Sequence, residues 1–195
     1  MSTDARLAKI KSVVNQRQEG IIVFEDIHDP HNAEAALRTA DAFGFQKVYF
    51  IFEKEEKYNP RQIGKASSSS ANKWLNVKTF SSMGDCLVDL KSQGFITYAT
   101  VIDHQAKSIF KASFVKPKIA ILFGNEHRGL SDKAIKNADY HIIIPMQGMV
   151  ESLNLSVTAA LCMYEVTRQR VSIGLDKFRL TKIEQENLMS EFLKR

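Results

Sequence analysis

Late in the chain, two runs of apolar, partly β-branched residues stop abruptly in glycine, proline and polar side chains. The stretch 122–130 reads Leu-Phe-Gly-Asn-Glu-His-Arg-Gly-Leu, and 144–156 reads Ile-Pro-Met-Gln-Gly-Met-Val-Glu-Ser-Leu-Asn-Leu-Ser. A strand buried on both faces reads as a continuous apolar run, and in an open α/β sheet its carboxyl end delivers the chain into a ligand crevice. The pattern asks for two binding loops side by side at one edge of a parallel sheet. A third stretch puts Asn32 and Arg38 at the start of a helix behind an earlier apolar run, with Gly44 downstream.

The rest of the chain supports an α/β fold with a mostly parallel sheet flanked by helices. Strand patterns fall at 20–27, 47–52, 77–80, 96–101, 118–123 and 141–144. Helical periodicity falls at 33–42, 83–91, 132–137 and 153–170, and such alternation implies helices on both faces. Asn32 reads as a cap and Gly44 as the stop of the second helix. A helix over 3–17, with Leu7, Ile10, Val13 and Val14 on one stripe, precedes the core. A last one over 181–194, with Ile183, Leu188, Phe192 and Leu193 on one side, follows the Gly174 turn and docks on the body or on a second subunit. The expected division is a basic amino-terminal extension over 1–19, a core domain over 20–170 and a helical extension over 171–195. The serines at 67–70 read as a surface loop, and Trp74 and the phenylalanines read as core or interface.

No apolar run reaches the roughly 20 residues of a membrane helix, and the polar amino terminus lacks the apolar segment of a secretory signal. The expectation is a soluble, cytoplasmic protein that does not use a membrane. Cys86 and Cys162 lie far apart without CxxC spacing and read as buried, reduced thiols. The net charge of +5 sits in the ends: residues 1–20 hold 4 Lys/Arg against 2 Asp/Glu, residues 166–195 hold 7 against 4, and residues 21–165 hold 16 of each. A neutral body with basic ends suits the grip of a polyanion, although such ends also serve solubility.

Glycine spacing excludes two common α/β functions. None of the 9 glycines forms GxG, so the dinucleotide fingerprint is missing. Gly124 and Gly129 have P-loop spacing, but Leu130 stands where the phosphate-binding lysine must be. His28 and His31 form an HxxH with a proline between them and no further ligands at suitable spacing, so no metal is expected and turn roles are.

Taken together the three stretches resemble the SPOUT class of RNA methyltransferases, specifically the SpoU or TrmH family, over roughly residues 19–165. Asn32, Arg38 and Gly44 match its first motif, Gly124, Asn125, Glu126 and Gly129 its second, and Ile144, Pro145, Met146, Ser152, Leu153, Asn154 and Ser156 its third. Arg17 and Gln18, the run from His28 to Asn32, and the residues around Trp74 resemble the tRNA guanosine 2'-O-methyltransferase branch. The resemblance implies a carboxyl-terminal deep trefoil knot, an exception to the rule against knotted chains. It also implies S-adenosylmethionine as methyl donor, a homodimer whose partner supplies the first motif, and tRNA as substrate at its D-loop guanosine. Methylation of rRNA or of the tRNA wobble position, and a non-catalytic RNA-binding or assembly role, stay open.

On this resemblance Arg38, Asn32, Glu126 and Asn154 are the candidate catalytic residues. A guanidinium is a poor base, so Arg38 is expected to grip a phosphate beside the target ribose and stabilise developing oxyanion charge, with Asn32 orienting the hydroxyl and Glu126 in support. Thr100, Gly124, Ile144, Met146, Ser152 and Leu153 are the candidate cofactor contacts, and Arg17, Ser152, Arg168 and Arg170 the candidate RNA contacts. The plainer reading of Arg38 is an ion pair with Glu34 one turn away.

Overall fold

The computed structural model describes residues 3–62 and 71–195. Strand β1 (Gln18–Glu25) and strand β6 (Ile119–Phe123) are buried along their whole length and run side by side at the centre of a seven-stranded sheet. Around them lie β2 (Phe45–Ile51), β3 (Asn76–Phe80), β4 (Ile96–Thr100), β5 (Lys107–Ser108) and β7 (Tyr140–Ile143) in the order β3-β2-β1-β6-β4-β7-β5. Every ladder is parallel. All carboxyl ends therefore meet at one edge. Two late strands enter between earlier ones: β6 between β1 and β4, and β7 between β4 and β5.

Alternation along each strand builds a core on both faces. Ile22 and Phe24 point to the side covered by α2 (Pro30–Ala42) and α6 (Leu155–Ser172), where Leu37, Ala159 and Val166 meet them. Ile21 and Val23 point to the side covered by α4 (Met83–Ser92) and α5 (Asp132–Asn137). Phe24 lies with its ring 5.5 Å from both Phe50 and Phe123, so truncating it to alanine would cost about 3–5 kcal/mol.

The two chain ends pack on each other. Ile10 and Val14 of α1 (Thr3–Gln16) form a third cluster with Leu180 and with Leu188 and Phe192 of α7 (Lys182–Leu193), and Trp74 packs edge-on to Phe192 at 4.9 Å. Lys47 bridges Glu19 at 3.2 Å and Glu184 at 3.0 Å, tying α7 back to the sheet.

Two expectations need correction. Helix α2 is capped by Asp29, whose carboxylate accepts the His31 amide, with Pro30 at its start and Asn32 as its third residue, inside the first turn. Proline is suited to a first helical position, which moves the start upstream of Asn32. In α7 only Leu188 and Phe192 of the expected stripe are buried, while Ile183 and Leu193 face solvent, because α1 covers a narrow strip. The two-residue β5 and the short α3 (Ala71–Trp74) were not expected. The serine run at 67–70 lies outside the described residues.

Candidate active site

A cavity of about 810 Å³ opens where β4, β6 and β7 end, and Thr100, Gly124, Ile144, Met146, Ser152 and Leu153 all line it. Its walls are the chain after β4, the 124–130 loop after β6 and the 144–154 loop after β7. Thr100 has its hydroxyl committed, donating to the Leu122 carbonyl at 2.9 Å. The 124–130 loop closes on itself: the Asn125 amide donates to Gly129 O at 3.0 Å and the Gly129 amide returns to Asn125 O at 2.9 Å. The Asn125 side-chain oxygen caps the turn by accepting the His127 and Arg128 amides, and its nitrogen donates to Asp26 O at 2.7 Å. Gly124 is obligatory here, because a Cβ would stand 2.1 Å from Gly129 C and Leu130 N.

At the cavity rim a chain of hydrogen bonds joins the three sequence stretches. Glu126 accepts the His28 amide at 2.8 Å, the Asp29 amide at 3.2 Å and the Asn32 side-chain nitrogen at 2.9 Å. Asn154 donates from its side chain to Asn32 Oδ1 at 2.9 Å. The Asn154 oxygen in turn accepts the Ser156 amide at 2.8 Å and hydroxyl at 2.6 Å, capping α6. Burial pushes the Glu126 carboxyl up, but the bonds from Asn32, His28 and Asp29 outweigh it and hold the group below the usual carboxylate range. Glu126 is an ionised anchor for the entry into α2. Its carboxylate holds Asn32, and among the described residues it forms no hydrogen bond or ion pair with Arg38.

Arg38 projects from α2 into solvent and takes no hydrogen bond or ion pair among the described residues. It does not line the cavity. The ion pair with Glu34 is not formed; among the described ion pairs Arg38 has none. A free guanidinium on a rigid helix is available to a ligand or a second subunit.

Two expected RNA contacts are structural instead. Arg17 is buried, paired with the Asp41 carboxylate at 2.5 Å and bonded to Asp41 O at 3.1 Å. Arg170 is fully buried: it donates to Gln18 Oε1 at 2.9 Å, to Glu19 O and to Lys116 O at 3.1 Å, and lies over the Phe178 ring. Burial brings its guanidinium down to about 10. Both tie the chain ends to the core, so the basic excess counted from sequence overstates the charge offered to a polyanion. Arg168 is exposed, although Glu165 holds it through two bonds of 2.7 Å. Ser152 is exposed at the cavity rim.

Cys162 reaches the cavity wall, but burial pushes its thiol up to about 12, which removes it as a nucleophile. Among the described residues no three of His, Cys, Asp and Glu converge to hold a metal. His141 and Leu130 also line the cavity, and no motif marks either of them. His141 lies in an expected strand and donates Nε2–H to Ile135 O at 2.8 Å. Only the alternation of β7 could have pointed to it.

The sequence profile of the SpoU rRNA Methylase family matches residues 19–164. The chain belongs to this family. Among SpoU relatives, the tRNA (guanosine(18)-2'-O)-methyltransferase of Escherichia coli strain K12 is 37% identical over 190 residues, covering 95% of this chain and 81% of that one. The A. aeolicus TrmH/SpoU tRNA modifying enzyme superposes with a TM-score of 0.85 at 28% identity, covering 98% of this chain and 96% of the other. The SpoU methyltransferase AviRb from Streptomyces viridochromogenes, in complex with the cofactor AdoMet, superposes with a TM-score of 0.67 at 28% identity over 80% of this chain and 60% of that one.

Proposed function

We infer that this chain is an S-adenosylmethionine-dependent methyltransferase acting on the 2'-hydroxyl of guanosine 18 in tRNA. The observation that carries the reading is a cofactor-sized cavity walled by the second and third sequence stretches, with Asn32 of the first stretch hydrogen-bonded to its rim residues Glu126 and Asn154. The cavity lies within the roughly 300–1,000 Å³ of small-molecule sites, and its lining combines apolar Val101, Leu130 and Ile144 with main chain from three loops. That combination suits a purine with a charged tail. When bound, S-adenosylmethionine supplies a methyl group carried on a sulfonium.

The protein's part is positional and electrostatic. Thr100, Gly124, Ile144, Met146, Ser152 and Leu153 hold the cofactor; Asn32, fixed at both ends of its amide, orients the ribose hydroxyl. Arg38 grips the neighbouring phosphate through its planar fork and stabilises charge developing on the oxygen. Arg168 and Ser152 meet the RNA backbone.

Because Arg38 lies outside its own chain's cavity, a second copy supplies it in a homodimer. Helix α6 presents Val157, Leu161, Tyr164 and Val171, exposed at 45%, 40%, 53% and 58%, along one stripe beside Phe43. An a/d-like stripe of this kind is what a helix seam between copies requires. The late entry of β6 and β7 between earlier strands supports a trefoil knot in the carboxyl-terminal part. The division into a core over 20–170 with extensions over 1–19 and 171–195, and a cytoplasmic site of action, belong to the same reading.

The test is direct. Purified protein is incubated with unmodified tRNA and labelled cofactor, and the product is mapped by nuclease digestion and mass spectrometry. A methyl on the ribose of guanosine 18 is expected. Label in the wobble position, in rRNA alone or in no RNA would overturn the assignment.

A further inference from the structure

We propose that Glu55 is a positioning residue for the transfer site, holding His28 and Arg128 together and so fixing the 124–130 loop that carries Glu126 and, through it, Asn32. The proposal rests on the methyltransferase reading above. Glu55 belongs to none of the three motif stretches and stands in the loop after β2, yet three segments converge on its carboxylate. His28 Nδ1, at the entry to α2, lies 2.9 Å away, and Arg128, in the loop after β6, donates at 2.7 Å. The Asn125 side-chain nitrogen lies at 3.4 Å.

The placement of Glu55 is itself built. Asp26, buried and held at φ 52, a conformation that non-glycine residues seldom adopt, accepts the amides of Glu53, Lys54 and Glu55 at 2.8, 2.9 and 3.2 Å. That turn aims Glu55 at the 124–130 loop. His28 then belongs to two carboxylates at once, giving its ring to Glu55 and its amide to Glu126. The pair shows in its acidities: the bond to Glu55 raises the His28 imidazole, and the bonds from His28 and Arg128 lower Glu55. The Glu55 side chain is 19% exposed, so the contacts are sheltered on the loop side. Without this carboxylate the loop keeps its internal Asn125–Gly129 bonds and the Asn125–Asp26 bond, and loses the tether that ties Arg128 to the His28 ring. The consequence is a Glu126 and an Asn32 that are present but less well placed.

The experiment is a double-mutant cycle on the dimeric enzyme, reading kcat at saturating tRNA and cofactor alongside melting temperature. Glu55→Gln is expected to lower kcat about tenfold in the parent, and less than about twofold in an Asn32→Ala background, because a displaced Asn32 cannot be displaced further. The His28 ring titration, followed by NMR, should move down in Glu55→Gln. His28→Asn, at a ring 58% exposed, should give the same pattern of loss. An unchanged kcat in Glu55→Gln, or equal losses in both backgrounds, would overturn the proposal. An inactive parent enzyme would instead count against the methyltransferase reading.

Discussion

Replacing Glu126 by glutamine tests whether an ionised carboxylate anchors the entry to α2. Its two oxygens accept three donors: Oε2 takes the His28 amide, and Oε1 takes the Asp29 amide and the Asn32 nitrogen. Glutamine keeps one acceptor oxygen, and its amide nitrogen must then face a donor. A flip of Asn32 does not help, because its nitrogen would turn toward the Asn154 nitrogen, and Asn154 is fixed by the Ser156 amide and hydroxyl. One charge-assisted bond is lost and a donor meets a donor, a cost of about 2–3 kcal/mol. For a chain of this size that corresponds to a melting temperature lower by about 5–10 °C.

The pH dependence follows from sign. Glu126 is held below its ordinary value in the folded protein. Its contribution is therefore fully present above the unfolded carboxylate value of about 4.3, and is lost as pH falls through the lower folded value. Denaturant unfolding of parent and Glu126→Gln at pH 7, 5 and 4 should show a constant gap at pH 7 and 5 that starts to close as the pH drops further. A gap absent at pH 7, or one that does not shrink on acidification, would refute the charge-based anchor.

Other expectations follow from the same geometry. Gly124→Ala, whose added carbon collides with Gly129 and Leu130 backbone, should abolish calorimetric binding of S-adenosylmethionine while circular dichroism keeps its α/β signature. Leu161→Glu places a charge in the exposed α6 stripe and should convert a dimer to a monomer by light scattering, with loss of turnover. Arg170→Ala leaves the neutral acceptors on Gln18, Glu19 and Lys116 without their buried donor and should cost stability, about 1–3 kcal/mol for each acceptor left buried and unpaired; the plain surface reading would leave stability unchanged and weaken RNA binding only. Arg38→Ala removes an exposed side chain with no partner among the described residues, so stability should stay within about 0.5 kcal/mol while methyl transfer falls by about two orders of magnitude or more.

Much of this site could be read from sequence because its loops follow strands buried on both faces. The run 119–123 is apolar throughout and breaks at Gly124, so the strand, its end and the loop are visible in one pass. The same holds at Ile144. Strand order could not be read, since nothing local says that β6 enters between β1 and β4. The two-residue β5 is a lysine and a serine with no apolar pattern. The burial of Arg17 and Arg170 is hidden for a related reason: counting charges assigns them to the surface, whereas their partners, Asp41 and Gln18, lie 24 and 152 residues away. The start of α2 is legible in the sequence, because Asp29 followed by Pro30 is a stronger start signal than Asn32. Glu55 carries no motif at all; only the Asp26 turn brings it to the site.

The account centres on a cavity in one chain served by the arginine of another, and subunit complementation tests this most directly. A chain carrying Arg38→Ala is mixed with one carrying Gly124→Val, each inactive alone, under conditions that exchange subunits. The mixture should regain methyl transfer to tRNA, because one site in each heterodimer combines an intact cavity with an intact guanidinium. Heterodimers that form, as seen by native mass spectrometry, but stay inactive at every ratio would contradict it.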